Sequence, residues 1–140
     1  MKQVSKEAYD FKKYCYFDRW ASYHYQLSEI LALGPKSVLE IGPGDQVVAS
    51  YIKSNTGIPY TSMDIAEDLG ADRIGSVLTM PFEDGSFETV CAFEVLEHLP
   101  FEQFQSALSE IARVTSRYAL MSLPHFGPGM RVLLKIPFLP

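Results

Sequence analysis

The sequence predicts an α/β domain built on a mostly parallel sheet of about five strands, and three observations carry that prediction. A short apolar run, Val38-Leu39-Glu40-Ile41, breaks into two glycines one residue apart, Gly42 and Gly44. A second run, Tyr60-Thr61-Ser62-Met63-Asp64, ends in an acid twenty residues beyond Gly44. A third, Thr89 to Phe93, stops at Glu94. Short apolar runs that end at glycine or an acid, with stretches of helical spacing between them, read as successive units of a parallel sheet.

The elements follow in order. Residues 1–34 form an aromatic-rich leader. From Ser5 to Leu33 it has neither glycine nor proline, and it carries Tyr9, Tyr14, Tyr16, Phe17, Trp20, Tyr23 and Tyr25. Its later part reads as a helix with Trp20, Tyr23, Leu27, Ile30 and Leu31 on one side. Such a helix packs on the core with one face and is free to line a cleft with the other. After the glycine turn a short helix begins near Asp45 and carries Val47, Val48, Tyr51 and Ile52 before Gly57; the strand to Asp64 follows Pro59. Nine residues separate Asp64 from Ile74, too few for a helical crossover between parallel strands. A single turn is expected there, with Arg73 to Ser76 as a brief third strand. Asp84-Gly85 marks a turn before the strand Thr89 to Phe93. Pro100 then opens a helix with Phe101, Phe104, Leu108, Ile111 and Ala112 on a shared face, and Tyr118 to Leu123 is the fifth strand.

The glycine turn limits the ligand. Without a Cβ, Gly42 and Gly44 permit positive φ and close approach of the backbone to a bound molecule. A phosphate-cradling loop needs a lysine and a hydroxyl after its last glycine, but Gln46, Val47 and Val48 follow here. A dinucleotide fingerprint wants a third glycine where Val47 stands. Glu40, inside the strand, would repel a pyrophosphate and suits a ligand with positive charge. A nicotinamide-binding protein is disfavoured on both counts. In an open parallel sheet ligands bind outside the carboxyl ends of the strands, which brings Phe93 and Glu94 near the same ligand.

Glu40-Ile41-Gly42-Pro43-Gly44 resembles the first motif of the class I S-adenosylmethionine-dependent methyltransferases. The run from Met80-Pro81-Phe82 through Gly85-Ser86-Phe87-Glu88 to Glu94-Val95-Leu96-Glu97-His98-Leu99 is similar to linked motifs of the small-molecule and lipid-modifying members. The resemblance covers roughly residues 36–124. It implies a Rossmann-like, doubly wound sheet with helices on both faces, and S-adenosylmethionine, which bears an ammonium and a sulfonium, as cofactor. By the same resemblance Glu40 serves the amino end of the cofactor, partly through water, while Ile41, Gly42, Pro43 and Gly44 run beside it. Asp64 holds the ribose hydroxyls, Met63 and Ile65 contact the adenine, and Val77 with Leu78 walls its other side. Phe93 and Glu94 lie near the methionine portion. Ser76 stands where members commonly have the acid that bonds the adenine amino group, and Gln46 where they often have a third glycine.

Composition narrows the function class. A chain of 140 residues is expected to form one domain, and its net charge of −5 argues against nucleic acid as a primary partner. Cys15 and Cys91 are too few for a disulfide framework, which points to a reducing, cytoplasmic setting. The amino terminus reads as lacking a signal peptide, and no run is long enough to span a bilayer. No His, Cys and carboxylate group has metal-site spacing.

The resemblance also implies a further helix and two more strands beyond the fifth. Residues 125–140, an apolar tail with Pro128, Pro137 and Pro140, are too few to supply them. A truncated or minimal form is expected, its fifth-strand edge covered by the tail or by a second copy in a homodimer, because exposed edges pair. His98 and His125 are candidate general bases, since imidazole titrates near neutrality; His24, in the aromatic helix, reads as a packing or surface residue. The expected function is transfer of a methyl group to a small-molecule acceptor. The alternative is a non-catalytic S-adenosylmethionine-binding or interaction module that keeps the fold.

Overall fold

A computed structural model describes residues 6–124. Five parallel strands form one sheet in the order β3-β2-β1-β4-β5, where β1 is Val38–Ile41, β2 Tyr60–Asp64, β3 Arg73–Ile74, β4 Phe87–Phe93 and β5 Thr115–Ser122. Strand order reverses beside β1, between its neighbours β2 and β4. This is the switch point at which open α/β sheets bind ligands. All four residues of β1 are buried, as the central strand of a two-sided sheet requires.

Side-chain alternation sends the two halves of each strand to different layers. Leu39, Ile41, Met63, Val90 and Ala92 face α4, Phe101–Val114, and meet its Ala107, Ile111 and Val114. Val38, Tyr60 and Cys91 face the other way, against Tyr23 and Ile30 of α2, Phe17–Leu33, and Val48, Ala49 and Ile52 of α3, Val47–Asn55. A short helix, α1, spans Phe11–Tyr14 and leads into α2. Helices therefore cover both faces, as expected.

Several boundaries differ from the sequence reading. The third strand is only Arg73–Ile74: after the Gly75 amide donates to the Asp64 carbonyl at 2.9 Å the chain turns, and the Ser76 carbonyl accepts from the Thr79 amide at 3.1 Å. Just before the strand, the Asp72 carboxylate accepts from the Ser62 amide at 2.8 Å, the Ser62 hydroxyl at 2.9 Å and Lys53 at 2.6 Å. The crossover before it is a single turn, Glu67–Leu69, as nine residues dictate. The fifth strand starts at Thr115, directly from the end of α4, with the Thr115 hydroxyl donating to the Ile111 carbonyl. On α4 the shared face is Phe104, Ala107, Leu108, Ile111 and Val114; Phe101 and Ala112 are exposed and not part of it. On α2 the buried positions are Tyr23, Gln26 and Ile30, with Leu27 partly buried beside them, while Trp20 and Leu31 turn outward. Among the described residues β5 pairs on one side only. The tail 125–140 lies outside the described residues, and no described helix is long and apolar enough to cross a membrane.

Candidate cofactor site

The chain turns sharply out of β1. Gly42 has φ +67° and Gly44 φ +55°, a region that L side chains rarely enter. A Cβ on Gly42 would lie 2.6 Å from Val95 Cγ2, and one on Gly44 would lie 3.1 Å from the ring of Tyr9. Glycine is thus demanded twice over at Gly42, by torsion and by space. Gln46, at φ 62°, completes the left-handed turn into α3, and its side chain donates to the Leu69 carbonyl at 2.5 Å.

Two adjoining clefts open at the strand ends. The smaller lies at the ends of β1 and β2, lined by Ile41, Met63, Asp64, Ile65, Gly75 and Val77. The larger, open to solvent, is lined by Glu40, Pro43, Gly44, Asp45 and Phe93 and by side chains of the leader. Tyr9, Gly42, Glu94 and His98 border both, so the two form one continuous depression over the switch point.

Glu40 has an unusual environment. Only 4% of it is exposed, Oε2 has no hydrogen-bond partner, and burial raises its pKa to about 7. The nearby Tyr60 hydroxyl tempers that rise, yet its own oxygen also lacks a hydrogen-bond partner. A buried carboxylate oxygen left unpaired beside a cleft is costly unless a donor or cation arrives there. An ammonium meets that need, directly or through water. Asp64 is half-buried and accepts from the Ala66 amide at 2.8 Å; burial raises its pKa, with the Ala66 and Ile65 amides opposing. Its position at the end of β2, along the smaller cleft, suits a pair of hydroxyls. The donor set therefore fits an S-adenosylmethionine-like molecule: a carboxylate for its cationic end, a glycine turn for close approach, and an acid for its ribose.

Not every expected residue arrives. Ser76 and Leu78 line neither cleft. The Ser76 hydroxyl accepts from the Leu78 amide at 3.2 Å in a tight turn, and Leu78 packs on the apolar core of the α4 face. His98 is exposed at the border of both clefts, in the turn Leu96–His98. His24 is exposed and stacks edge-on with Tyr25. His125 lies outside the described residues. Among those described, no group of three or more His, Cys, Asp or Glu is arranged to hold a metal ion.

The leader supplies residues that the sequence reading missed. Arg19 donates to Glu94 at 2.5 Å, and its guanidinium stacks 4.5 Å from the Tyr14 ring. Burial lowers the Arg19 pKa, but Tyr14 and Glu94 outweigh it and the net shift is upward. Glu94 itself holds φ 54°, an uncommon conformation for a residue with a side chain. The Tyr23 hydroxyl donates to Asp45 at 2.5 Å, and burial with that bond raises its pKa. The available signal was the i, i+4, i+7 series Arg19, Tyr23 and Gln26, polar groups on the stripe of α2 that continues to buried Ile30.

Strand order, glycine turn and strand-end acids together define the architecture of the class I S-adenosylmethionine-dependent methyltransferases. A family model described as a methyltransferase domain matches residues 39–121, and the chain belongs to that family. Among solved structures, the PH0226 protein of Pyrococcus horikoshii OT3 is 18% identical, with 85% of this chain and 66% of that one covered and a TM-score of 0.64. A SAM-dependent methyltransferase from Aquifex aeolicus is 15% identical, with 73% and 68% covered and a TM-score of 0.54. The [4+2]-cyclase SpnF is 18% identical, with 57% and 35% covered and a TM-score of 0.51. At such identities the likeness shows the fold alone. The chain spans about half the length of several of the solved structures it matches. No curated protein matches it.

Proposed function

We propose that the chain binds S-adenosylmethionine across the two clefts and transfers its methyl group to a small-molecule acceptor. The observation that carries this reading is the unpaired, buried Oε2 of Glu40 beside the Gly42–Gly44 turn. In this reading Glu40 holds the ammonium end, the backbone from Ile41 to Gly44 runs beside the amino-acid part, and Asp64 binds the ribose. Met63, Ile65 and Val77 enclose the adenine, and Phe93 and Glu94 border the methionine part. Asp45, Arg19 and Tyr9 extend this set. Ser76 and Leu78 are left out of it, because both are engaged elsewhere.

The bound cofactor supplies an already activated methyl group on a sulfonium. The protein's own task is alignment and exclusion of water. The leader residues Tyr9, Tyr14 and Arg19 close the cleft toward that end. Where the acceptor holds a proton, His98, the imidazole at the border of both clefts, is our candidate base.

A second reading has support as well. The [4+2]-cyclase with this fold demonstrates that the architecture does not fix the reaction, so a module that binds the cofactor without transferring methyl is the alternative. We also propose that the free edge of β5 is covered by the tail or by a second copy. Calorimetric titration of the full chain with S-adenosylmethionine and S-adenosylhomocysteine tests the cofactor. Micromolar binding of both, lost in Glu40→Gln and Asp64→Asn, is the expected result; no binding to the folded chain would overturn the site. Label transfer to an acceptor panel then separates enzyme from module.

A further inference from the structure

Three buried oxygens on the α2 and α3 face have no hydrogen-bond partner among the described residues: Glu40 Oε2, the Tyr60 hydroxyl and the Thr89 hydroxyl. Strand register fixes how they are spaced. Val38 of β1 stands level with Tyr60 on β2 and Thr89 on β4, and Glu40 stands level with Ser62 and Cys91. Tyr60 and Thr89 are therefore diagonal neighbours of Glu40, one on either side. Diagonal neighbours lie about 7–8 Å apart, within reach of an aromatic or long side chain and beyond a threonine hydroxyl. The Tyr60 ring is 9% exposed and belongs to the apolar cluster of Val38, Val48 and Ile52. Burial pushes the Glu40 carboxyl up and the Tyr60 hydroxyl opposes that rise, so the two groups face each other although no hydrogen bond closes between them.

The other groups around Glu40 are engaged or repel it. Ser62, level with it on β2, donates its hydroxyl to Asp72 at 2.9 Å, and Lys53 of α3 is bonded to the same carboxylate at 2.6 Å. Asp45 opposes a charge on Glu40, while Tyr23 of α2 donates to Asp45 and Arg19 to Glu94. On β4, the Cys91 thiol is fully buried and only a weak donor. Tyr60 lines neither cleft and stands behind Glu40, which lines the larger one. A carboxylate accepts from about four donors, so a bond from behind leaves the cleft side open to an ammonium.

We infer that Tyr60 is a positioning residue for the cofactor: its hydroxyl donates to the ionised Glu40 carboxylate from behind and holds it toward the ammonium. The inference rests on the cofactor reading above and deepens it. Tyr60 touches no ligand. It acts by stabilising the form of Glu40 that binds, so its removal weakens binding where Glu40 is otherwise protonated and has little effect where Glu40 is already ionised.

The test titrates the full chain with S-adenosylhomocysteine across pH, comparing Tyr60→Phe with the unaltered chain at each value so that titration of the ligand cancels. The variant keeps the ring and removes only the oxygen. At pH 6 it should bind about tenfold more weakly, and the ratio should fall toward unity by pH 9. Thr89→Val, which removes the hydroxyl on the other diagonal, should leave the ratio at unity throughout. A loss independent of pH, no loss, or the same profile in Thr89→Val would overturn the inference and leave the cofactor reading standing. A second measurement needs no variant: the infrared difference spectrum of ligand binding at pH 6 should show a carboxylic acid converted to carboxylate together with a shifted tyrosine C–O band. Silent tyrosine bands would overturn the inference equally. Failure of S-adenosylhomocysteine to bind the folded, unaltered chain would remove the cofactor reading and this inference with it.

Discussion

The two faces of the sheet are made of the same strands and do opposite things. On the α4 face the buried residues are all apolar: Leu39, Ile41, Met63, Val90 and Ala92 meet Ala107, Ile111 and Val114. On the α2 and α3 face lie the four buried polar residues found among those described, Gln26, Glu40, Ser62 and Thr89. The buried atoms without partners, on Arg19, Glu40, Tyr60, Thr89 and Ser122, belong to that face as well. An unpaired buried polar group costs about 1–3 kcal/mol, so this face gives up stability that the other supplies. The division is one of polarity and not of ligand contact, since Ile41, Met63 and Val77 of the apolar face line the smaller cleft.

The largest expected effect lies on the apolar face. Ile111 is 2% exposed in the middle of α4, and Ile111→Ala should cost about 3 kcal/mol through lost burial and the cavity left behind. Urea unfolding at fixed pH reads this directly. Affinity for S-adenosylmethionine, measured where the variant is still folded, should not change. A large loss of affinity would mean that the two faces are not separable.

Glu40→Gln is expected to act in the opposite direction. The folded chain keeps the Glu40 proton up to about pH 7, whereas the unfolded chain releases it near 4.5. Between these values the folded state binds more protons, so this group's contribution is full below pH 4.5 and is lost as pH rises through 7. At pH 8 the ionised carboxylate therefore destabilises the native chain by about 3 kcal/mol. Glu40→Gln should recover up to that amount and flatten the pH dependence of unfolding, while weakening cofactor binding at least about tenfold. In the unaltered chain, affinity should rise with pH and level off above 7, because the ligand needs the ionised form. Calorimetry in buffers of different ionisation enthalpy would detect the released proton; its absence at pH 6 would contradict the pairing.

Gly42→Ala should produce an intermediate effect, about 2 kcal/mol. The new Cβ meets both an unfavourable φ of +67° and the Val95 methyl at 2.6 Å. Because Val95 follows Glu94 at the end of β4, relief of that clash has to displace the strand ends that border the clefts. Binding is expected to fall with stability here, unlike in Ile111→Ala, and paired unfolding and titration curves would distinguish the two.

What the sequence made legible follows the same division by range. Gly42, Gly44, Glu40 and Asp64 could be read because backbone torsion and strand ends are local properties, written within a few residues of each site. Arg19 could not, since it reaches Glu94 across 75 positions and only the packing of α2 on the sheet brings them together. Tyr9 and Tyr14 were visible as part of an aromatic leader, but which of its aromatics turned inward depended on the chain path through α1. Ser76 and Leu78 failed for a local reason: the Ser76 hydroxyl closes a tight turn from which Val77, between them, reaches the smaller cleft and they do not. The third strand likewise stopped at Ile74 because the chain turns at Ser76, whose carbonyl accepts from the Thr79 amide at 3.1 Å, a turn that β-propensity does not register.

The smallest effect concerns Phe101, which helical spacing assigned to the core. It lies 88% exposed at the first position of α4, after Pro100, where one helical turn separates it from the buried stripe that includes Phe104. Side chains on a helix lean toward its amino terminus, so a residue at the first position reaches beyond the sheet instead of onto it. Phe101→Ser should therefore change unfolding free energy by no more than about 0.5 kcal/mol, and Phe104→Ser, partly buried against the α4-face core, by several times as much. If the two substitutions cost the same, Phe101 would have a partner that packs on it in solution, and a fall in sedimentation coefficient of the Phe101 variant would identify that partner as a second copy of the chain.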